Sequence, residues 1–528
     1  MTSAAPASAP EAPTRAARAG ALMALSTLAM AGASAIQAVL YLGEYGATAR
    51  TDAFFAAFAV YQVVGVFTQA TRVSSVPLLV GDRAIGMLRF FGAMAVVALP
   101  IVIACGPLAG PVSSLLAPSA TGDAHDLATT ALRVLGLAMI LQLGAAGAAT
   151  LLGMRDRFES VAAAYAVGAF AGLVTFLLVR THGELALAWS MLAMAVVTAG
   201  WSAWSLARVR REEVASGVGG GGLAAIGDHK NRFVVQCIQT AGDLLGRSVV
   251  YFVINAFFLV TLAVVGREGG AGATTVLSYA YLLASYLVAG TSTAVGISRA
   301  PDMVRGAQDE WDTVVADTVP HGYRYAAFVS APILAAGIVA ATPVVDALLP
   351  SALGDAQTAS LARAIGLLGP WLAAALLLNF AIPGLFAIGR SRTVNLLAPV
   401  ALAVHLAVTV LAAQVAGVDL VIAAMVVAPL SLFTVLVVIG TGAQLGAVTR
   451  EIVLDTVRAA GLAAVAFAAG LGVSTGIGLD GIPQAAVTLI VGGALYAGGL
   501  FLVAPRVVQV LLGAGRGGSA ESTPTSDD

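Results

Sequence analysis

Charged residues and cysteines are scarce in this 528-residue chain, and long apolar runs take their place. Only 10% of the residues are charged, whereas 59% are hydrophobic and the mean hydropathy is +0.92. A soluble protein could not bury so much apolar surface, so a soluble enzyme is excluded. The net charge of −1 offers no large basic surface for nucleic acid. The two cysteines, Cys105 and Cys237, have no metal-ligand spacing, and we interpret both as inert small hydrophobic residues.

Fourteen apolar segments, each long enough to cross a bilayer, fill most of the sequence. A transmembrane helix needs roughly 20 mostly apolar residues. The first segment is longer than the apolar core of a signal peptide, so we expect no cleavable signal peptide. The sequence therefore predicts an all-α integral membrane protein with fourteen transmembrane helices. In chain order, the predicted segments one to fourteen are Gly20–Leu42, Asp52–Val76, Ala84–Leu108, Asp126–Leu152, Phe158–Val179, Leu185–Arg208, Phe233–Val264, Ala273–Ile297, Gly322–Leu349, Leu361–Ile388, Val394–Val415, Val418–Leu445, Ile452–Val473 and Pro483–Leu512.

The basic residues between these segments are distributed very unevenly. Even-numbered loops and the two termini together hold eighteen Arg and Lys residues, whereas odd-numbered loops hold three, namely Arg50, Arg180 and Arg267. Loops rich in Arg and Lys stay on the cytoplasmic side of a membrane. We therefore expect both termini to be cytoplasmic.

A glycine-rich stretch divides the chain into two parts that resemble each other weakly. Residues 211–230 include Gly217 and the run Gly219–Gly222, which is typical of a flexible linker. Gly46-Ala47-Thr48, ahead of segment two, is similar to Gly272-Ala273-Thr274, ahead of segment eight. Internal repetition in a membrane protein indicates two lobes around a central substrate path. The predicted organisation is a disordered N-terminus (1–14), an N-terminal lobe of six helices (15–210), the cytoplasmic linker (211–230), a C-terminal lobe of six helices (231–446), two further helices (447–513) and a disordered tail (514–528).

Four short motifs resemble a known family. The most specific is Tyr45–Phe58, with its Gly-Ala and Thr-Asp-Ala-Phe-Phe pattern at the entry to segment two. Leu151–Phe158, Leu277–Ala280 and Phe386–Thr393 match the family around segments four, eight and ten. On these motifs the chain resembles the MurJ/MviN-type lipid II flippases of the multidrug/oligosaccharidyl-lipid/polysaccharide (MOP) exporter superfamily.

The resemblance implies a fold and a function. The fold would be two six-helix lobes in a V around a central cavity, followed by two C-terminal helices, in the bacterial inner (cytoplasmic) membrane. The function would be alternating access that moves a polyprenyl-diphosphate-linked saccharide, lipid II first of all, to the outer leaflet. Its partners would be that lipid-linked substrate, the bilayer and proteins of cell-wall synthesis. Three alternatives stay open: a flippase for another lipid-linked glycan, an ion-coupled exporter of small molecules, and a scaffold for cell-wall assembly that transports nothing.

The family's cavity cations have no counterparts at the matching positions. Where the family carries arginines in segments one and two, this sequence has Ala31, Gln37, Gly65 and Val66, and Leu282 stands where segment eight carries an Asp-Arg pair. The resemblance therefore implies a less cationic cavity, which leaves the choice of substrate open.

Polar side chains within the apolar segments are the candidate substrate-binding residues, because polar groups at bilayer depth usually face a cavity or a partner. They are Gln37, Gln62, Gln69 and Arg72, and the arginine has the fork geometry that suits a diphosphate. Interhelical hydrogen bonds for the glutamines and lipid contact for Arg72 are the competing interpretations. Asp52 is included as a candidate, although we expect it to cap segment two, with a gating role as the second interpretation.

Segment seven carries the candidate gating or coupling residues. Asp243 and Arg247 lie one helical turn apart and can pair, and Asn255 follows on the same segment. A self-neutralising buried ion pair is the competing interpretation. The sequence shows no nucleotide-binding loop, metal cluster or catalytic triad, so we expect neither an enzyme nor a cofactor. Transport would then couple to a monovalent cation gradient or the membrane potential.

Overall fold

A computed structural model describes residues 12–75, 79, 86–155, 157–216, 230–288, 327–328, 331–348, 354–387, 391–441 and 445–503. Every regular element within these residues is helical. Ten helices in this part of the chain are long and apolar enough to span a membrane, judged by length and composition. The predicted all-α membrane fold is therefore confirmed, while the total of fourteen spans stays a prediction.

The helices are numbered here in chain order. The first half of the chain forms α1 (Ala12–Tyr45), α2 (Ala49–Ser74), α3 (Met87–Cys105), α4 (Ala109–Leu116), α5 (Asp123–Gly153), α6 (Phe158–Val179) and α7 (Ala186–Ala215). The second half forms α8 (Lys230–Glu268), α9 (Ala273–Val288), α10 (Ala341–Leu348), α11 (Asp355–Leu367), α12 (Gly369–Ala387), α13 (Ser391–Ala416), α14 (Val418–Ala424) and α15 (Val427–Thr441). The chain ends with α16 (Leu445–Gly476) and α17 (Gly481–Val503). Residues 331–339 are also helical.

Most helices begin and end near the limits of the apolar segments, with two polar extensions. Helix α6 has the predicted bounds of segment five. Helix α1 begins at Ala12, within the stretch expected to be disordered, and α7 continues to Ala215, into the expected linker. The extension of α7 is stabilised by its glutamates, since Glu212 pairs with Arg208 one turn earlier at 3.2 Å.

Prolines divide three of the predicted segments into shorter helices. Pro370 lies just after the break between α11 and α12, and Pro429 lies just after the break between α14 and α15. Pro343 similarly follows the break at Ala340. Proline has no N–H to donate to the carbonyl four residues earlier, and each of these breaks lies two to four residues ahead of its proline.

Glycines allow close helix packing inside the bundle. A side chain at Gly172 of α6 would lie 3.0 Å from the carbonyl oxygen of Ser190 on α7. A side chain at Gly470 of α16 would lie 2.6 Å from the carbonyl oxygen of Thr488 on α17. Lipid tails are as apolar as leucine, so helices associate in a bilayer through such van der Waals packing.

The largest buried cluster contains residues of both halves. Tyr41 of α1 contacts Phe54 and Phe55 of α2, with ring centroids 5.1 and 5.6 Å apart. Phe55 in turn contacts Tyr279 of α9 edge-on, with centroids 5.0 Å apart. These aromatic contacts join the halves beside the loops that follow α1 and α8, where the polar contacts described next are made.

Candidate functional site

Asp52 of α2 binds the N-terminus of α9, a helix of the other half. Its Oδ2 accepts a hydrogen bond from the Gly272 N–H at 2.6 Å. Its Oδ1 accepts two from Thr275, one from the backbone N–H at 2.8 Å and one from the hydroxyl at 2.6 Å. A carboxylate here satisfies backbone donors that α9 itself leaves unpaired, and it is attracted to the positive end of the helix dipole. Asp52, Gly272 and Thr275 are called the interhalf clamp below.

Gly272 is fitted to its place in the clamp by its backbone and by its surroundings. Its φ of +90° lies in the left-handed region that favours glycine. An added Cβ would also lie 3.0 Å from the carbonyl oxygen of Ala47. The glycine therefore lets the loop ahead of α9 approach the loop ahead of α2.

The prediction that Asp52 caps its own helix is wrong. Thr48 and Thr51 cap α2 reciprocally: the Thr48 N–H donates to Oγ1 of Thr51 at 2.8 Å, and the Thr51 N–H donates to Oγ1 of Thr48 at 3.2 Å. This is the arrangement of a capping box. Because these threonines satisfy the start of α2, the Asp52 carboxylate is available for α9.

Further contacts join the halves around the clamp. The hydroxyl oxygens of Thr51 and Thr275 lie 3.2 Å apart. Tyr279 donates its hydroxyl to the Ala38 carbonyl at 2.6 Å, and the Gln357 amide donates to the Ala47 carbonyl at 3.0 Å.

Contacting residues of α2 and α9 have the same spacing. Thr51 contacts Thr275 and, four residues further along each helix, Phe55 contacts Tyr279. Such mutual contacts are typical of two related elements packed around a local two-fold axis.

A second set of contacts joins the halves at the opposite end of the bundle. Arg89 of α3 donates to the Thr240 hydroxyl of α8 at 2.8 Å. From Thr240 to Glu268, α8 rises about 42 Å, which matches a bilayer with its headgroups. The clamp lies near Glu268, so these two sets of contacts lie at opposite ends of α8.

Of the candidate glutamines of the first half, Gln37 is buried and Gln62 is half-buried. A side chain at Gly172 of α6 would lie 3.5 Å from Nε2 of Gln37, which places Gln37 against α6. Its Oε1 and both polar atoms of Gln62 are buried and have no hydrogen-bond partner among the described residues. A buried amide without a partner is costly, and both interpretations of Gln62, substrate binding and interhelical hydrogen bonding, stay open. The side chains of Gln69 and Arg72 lie outside the described residues.

The candidate gating residues on α8 are not arranged as the sequence indicates. Asp243 is exposed and Arg247 is half-buried, and within the described residues they form no ion pair. The predicted pairing is therefore wrong. One helical turn brings two side chains near each other but leaves long, solvated ones free to point apart.

Asn395 of α13, which sequence reasoning missed, binds the backbone of α8 beside these residues. Its Oδ1 accepts from the Val250 N–H at 3.3 Å, and its Nδ2 donates to the Gly246 carbonyl. In a regular helix the Val250 N–H pairs with the Gly246 carbonyl, four residues earlier. A side chain inserted at such a turn weakens the backbone ladder and is a common cause of helix bending.

Asn255 lies within the second half rather than between the halves. It is buried, and its Nδ2 donates to the Tyr251 carbonyl at 2.8 Å. Its Oδ1 accepts from the Tyr281 hydroxyl at 3.1 Å, and the Tyr281 ring stacks on Phe258 with centroids 3.7 Å apart. These contacts give Asn255 a structural role, and its proposed coupling role stays a prediction.

The contacts that Thr275 and Gln357 make with the first half were also not indicated by the sequence. The only signal for Thr275 was the similarity of Gly272-Ala273-Thr274 to Gly46-Ala47-Thr48, which shows related loops but not that they touch. Among the described residues, no group of three His, Cys, Asp or Glu side chains is placed to hold a metal ion.

The chain shares its all-α fold with solved structures of MurJ and MATE transporters. Among solved structures, the chain is similar to the lipid II flippase MurJ in its inward closed conformation, with a TM-score of 0.66 and 13% identity over 92% of this chain and 99% of that one. It is also similar to an inward-facing multidrug resistance MATE family transporter, with a TM-score of 0.59 and 14% identity over 82% of this chain and 99% of that one. A MOP superfamily transporter from Pyrococcus furiosus aligns with a TM-score of 0.55 and 14% identity over 84% of this chain and 100% of that one.

These likenesses establish the fold and not the substrate, because the identities are low. No protein-family profile matches the chain, and no curated protein matches its sequence.

Proposed function

We propose that the chain is a MurJ-type flippase that moves a polyprenyl-diphosphate-linked saccharide, lipid II, from the inner to the outer leaflet by alternating access. The fold supports this proposal, since the similarity to the MurJ structure extends over almost the whole of both chains. The motifs at Tyr45–Phe58 and Leu277–Ala280, which carry the resemblance to the flippase family, contain Asp52 and the first turns of α2 and α9.

The interhalf clamp is the observation that carries the proposal. Alternating access requires contacts that close one face of the protein and can be released in each cycle. Hydrogen bonds to a charged group contribute about 1.5–3 kcal/mol each, so the three at Asp52 are worth several kcal/mol. A difference of about 5.5 kcal/mol changes a two-state equilibrium from 1:99 to 99:1. The clamp therefore has the strength expected of a gate that substrate binding can open.

The distribution of basic residues gives the clamp an orientation. With both termini in the cytoplasm, the loops ahead of α2 and α9 face outward, and the Arg89 contact faces inward. In this orientation the clamp closes the outer face while a substrate enters from the inner leaflet. Breaking the Asp52 contacts then opens the path for the headgroup to leave.

The polar candidates of the first half would hold the headgroup. Gln37 and Gln62 offer amides to sugar hydroxyls, and Arg72 and Gln69, further along α2, are proposed to bind the diphosphate. Asp243 and Arg247 are proposed to couple the change of conformation to a monovalent cation gradient or the membrane potential, since neither is neutralised by the other. Proteins of cell-wall synthesis are proposed as partners that supply or use the substrate.

A second candidate function is an exporter of small molecules. The observation that favours it is the neutral character of Ala31, Gln37, Gly65 and Val66, where the flippase family carries cations. A neutral cavity suits an uncharged or cationic solute as well as a glycan. The likeness to MATE transporters is compatible with this alternative.

Depletion of the protein from cells tests the proposal directly. We expect the amount of lipid II accessible on the outer face of intact cells to fall on depletion and to recover when the protein is supplied in trans. A D52A variant should fail to restore it, whereas D123N, which changes an exposed aspartate at the same end, should restore it. Unchanged lipid II together with altered resistance to small toxic compounds would favour the exporter. Unchanged values of both would favour another lipid-linked glycan or the scaffold.

A further inference from the structure

An apolar groove of about 810 Å³ lies in the first half, away from the interhalf clamp. Its floor is α5, and its walls are α3 and α7. At the floor, Gly144 is exposed, and an added Cβ there would meet no atom within 4 Å. On α7, the lining residues Ala203 and Ala207 also have small side chains. Small side chains on facing helices therefore create the space, which is within the usual range of about 300–1,000 Å³ for ligand pockets.

Two arginines, Arg210 and Arg211, line one end of this otherwise apolar groove. Both are exposed, and within the described part of the chain neither forms an ion pair. Their basic neighbours differ in this respect: Arg155 pairs with Glu213 at 2.5 Å, and Arg157 pairs with Glu212 at 2.8 Å. The two glutamates thus neutralise other arginines, which leaves the two at the groove for an external anion.

The distance from the apolar end of the groove to its arginines matches one leaflet of a bilayer. From Ala199, which lines the groove, to Arg210 the helix α7 rises about 16 Å. The hydrocarbon core of a bilayer is about 30 Å thick, so one leaflet is about half of that. An acyl chain lying in the groove would therefore place its headgroup phosphate beside the arginines.

We propose that this groove binds an anionic phospholipid, with an acyl chain along α5 and α7 and the phosphate held by Arg210 and Arg211. Arginine suits this task because its guanidinium presents a planar fork of donors to phosphate oxygens. None of the residues that line the groove belongs to the clamp or to the candidate substrate residues. Binding of the lipid at equilibrium therefore tests the site whether or not the chain transports lipid II.

Native mass spectrometry of the purified full-length chain tests the site. The detergent-solubilised protein is incubated with phosphatidylglycerol or with phosphatidylcholine carrying the same acyl chains, and the retained lipid is counted. We expect phosphatidylglycerol to be retained in preference by about thirtyfold, as for two arginines near one anionic headgroup. The variant R210Q/R211Q should lose the preference, and R210K/R211K should keep most of it because the charges remain.

Two further variants distinguish lipid binding in the groove from a general effect of positive charge on the protein. G144L, which places a side chain in the open floor, should reduce retention of both lipids severalfold while leaving the thermal stability unchanged. R133Q/R180Q removes two positive charges outside the groove and should leave the preference intact. Equal retention of the two lipids by the unaltered chain would overturn the proposal. So would a preference that survives in R210Q/R211Q, or a G144L variant that binds both lipids normally.

Discussion

Asp52 and Thr275 are joined by two hydrogen bonds to a single carboxylate oxygen, although they belong to different halves of the chain. The Thr275 N–H and hydroxyl donate to Oδ1 of Asp52 at 2.8 and 2.6 Å. A side chain that caps a helix usually belongs to that helix or to the loop just before it. Here the start of α9 is completed by α2, so separating the halves leaves the N-terminal N–H groups of α9 without this partner. The stability of one helix thus depends on the closed arrangement of both halves.

Removal of the Asp52 carboxylate should destabilise the closed protein. We expect D52A to lower the free energy of unfolding by several kcal/mol, since it removes three hydrogen bonds to a charged group and leaves the first N–H groups of α9 unpaired. D52N keeps one oxygen acceptor and should lose less. Thermal unfolding of the purified chain in detergent measures both effects. D123N is the matched control, and equal unfolding temperatures for D52A and D123N would contradict the account.

Replacement of Gln62 by an apolar residue should raise the stability of the protein and reduce its transport activity. Both polar atoms of its amide are buried and have no partner in the described part of the chain, so Q62M should raise the free energy of unfolding by about 1–2 kcal/mol. If Gln62 receives part of the substrate, the same variant should reduce transport. Unfolding and lipid II accessibility are measured together.

Gln142 provides the control for this test, because its amide donates to the Tyr61 hydroxyl at 2.5 Å. Q142M makes the same change at a satisfied amide, and we expect it to be neutral or destabilising. A Q62M variant that is more stable and fully active would remove Gln62 from the substrate site.

Asn395 should control the backbone of α8 next to Asp243 and Arg247. Its amide binds the Gly246 carbonyl and the Val250 N–H, so N395L removes both contacts. We expect hydrogen exchange at residues 246–250 to change, and transport to fall more than stability does. T434A, which removes a hydroxyl that donates to the Leu430 carbonyl of its own helix, is the control. Unaltered exchange in N395L would show that Asn395 does not shape this turn.

The ion pair of Arg50 and Glu184 should give a small dependence of stability on pH. Arg50 Nε donates to Glu184 at 2.6 Å, and the Arg50 guanidinium holds the pKa of Glu184 below its usual range. A carboxyl group with a lowered native pKa stabilises the fold above its unfolded pKa of about 4.3, and this stabilisation is lost as the pH falls through the native value.

The corresponding measurement compares the unaltered chain with E184Q across this pH range. At pH 7 we expect E184Q to be less stable by about 0.5 kcal/mol, because the pair lies at the surface. The difference should vanish below the native pKa and shrink at high salt. E44Q, at an exposed carboxylate that forms no ion pair among the described residues, should show no such trend. A difference for E184Q that is the same at every pH would contradict the assignment.

Hydropathy predicted the helices well, because a membrane span has to be long, apolar and helical. The bounds of Phe158–Val179 follow directly from this requirement. The breaks near Pro370 and Pro429 could not be predicted from the prolines alone, because α3 and α13 continue through Pro100 and Pro399. The glutamates that extend α7 were visible as well, but two of their arginine partners, Arg155 and Arg157, come from a separate loop between α5 and α6.

The candidate site was less predictable, because its key contacts join residues far apart in sequence. Asp52 could be identified as important from its motif, but its partner could not, since Thr275 lies in a loop that is adjacent only in the folded chain. Asp243 and Arg247 show the opposite case: their spacing indicated a pair that the structure does not form. Spacing along a helix predicts which residues share a face and not how long side chains orient.

A reversible lock across the clamp tests the alternating-access proposal most directly. Thr51 and Thr275 have hydroxyl oxygens 3.2 Å apart, so cysteines at these two positions are placed to form a disulfide. The variant T51C/T275C, made in a chain with Cys105 and Cys237 replaced by alanine, is reconstituted into liposomes with labelled lipid II. We predict that the oxidised protein moves no lipid II, that reductant restores movement, and that either single cysteine variant is active throughout. Lipid II movement by the fully oxidised double variant at the rate of the reduced one would contradict the account.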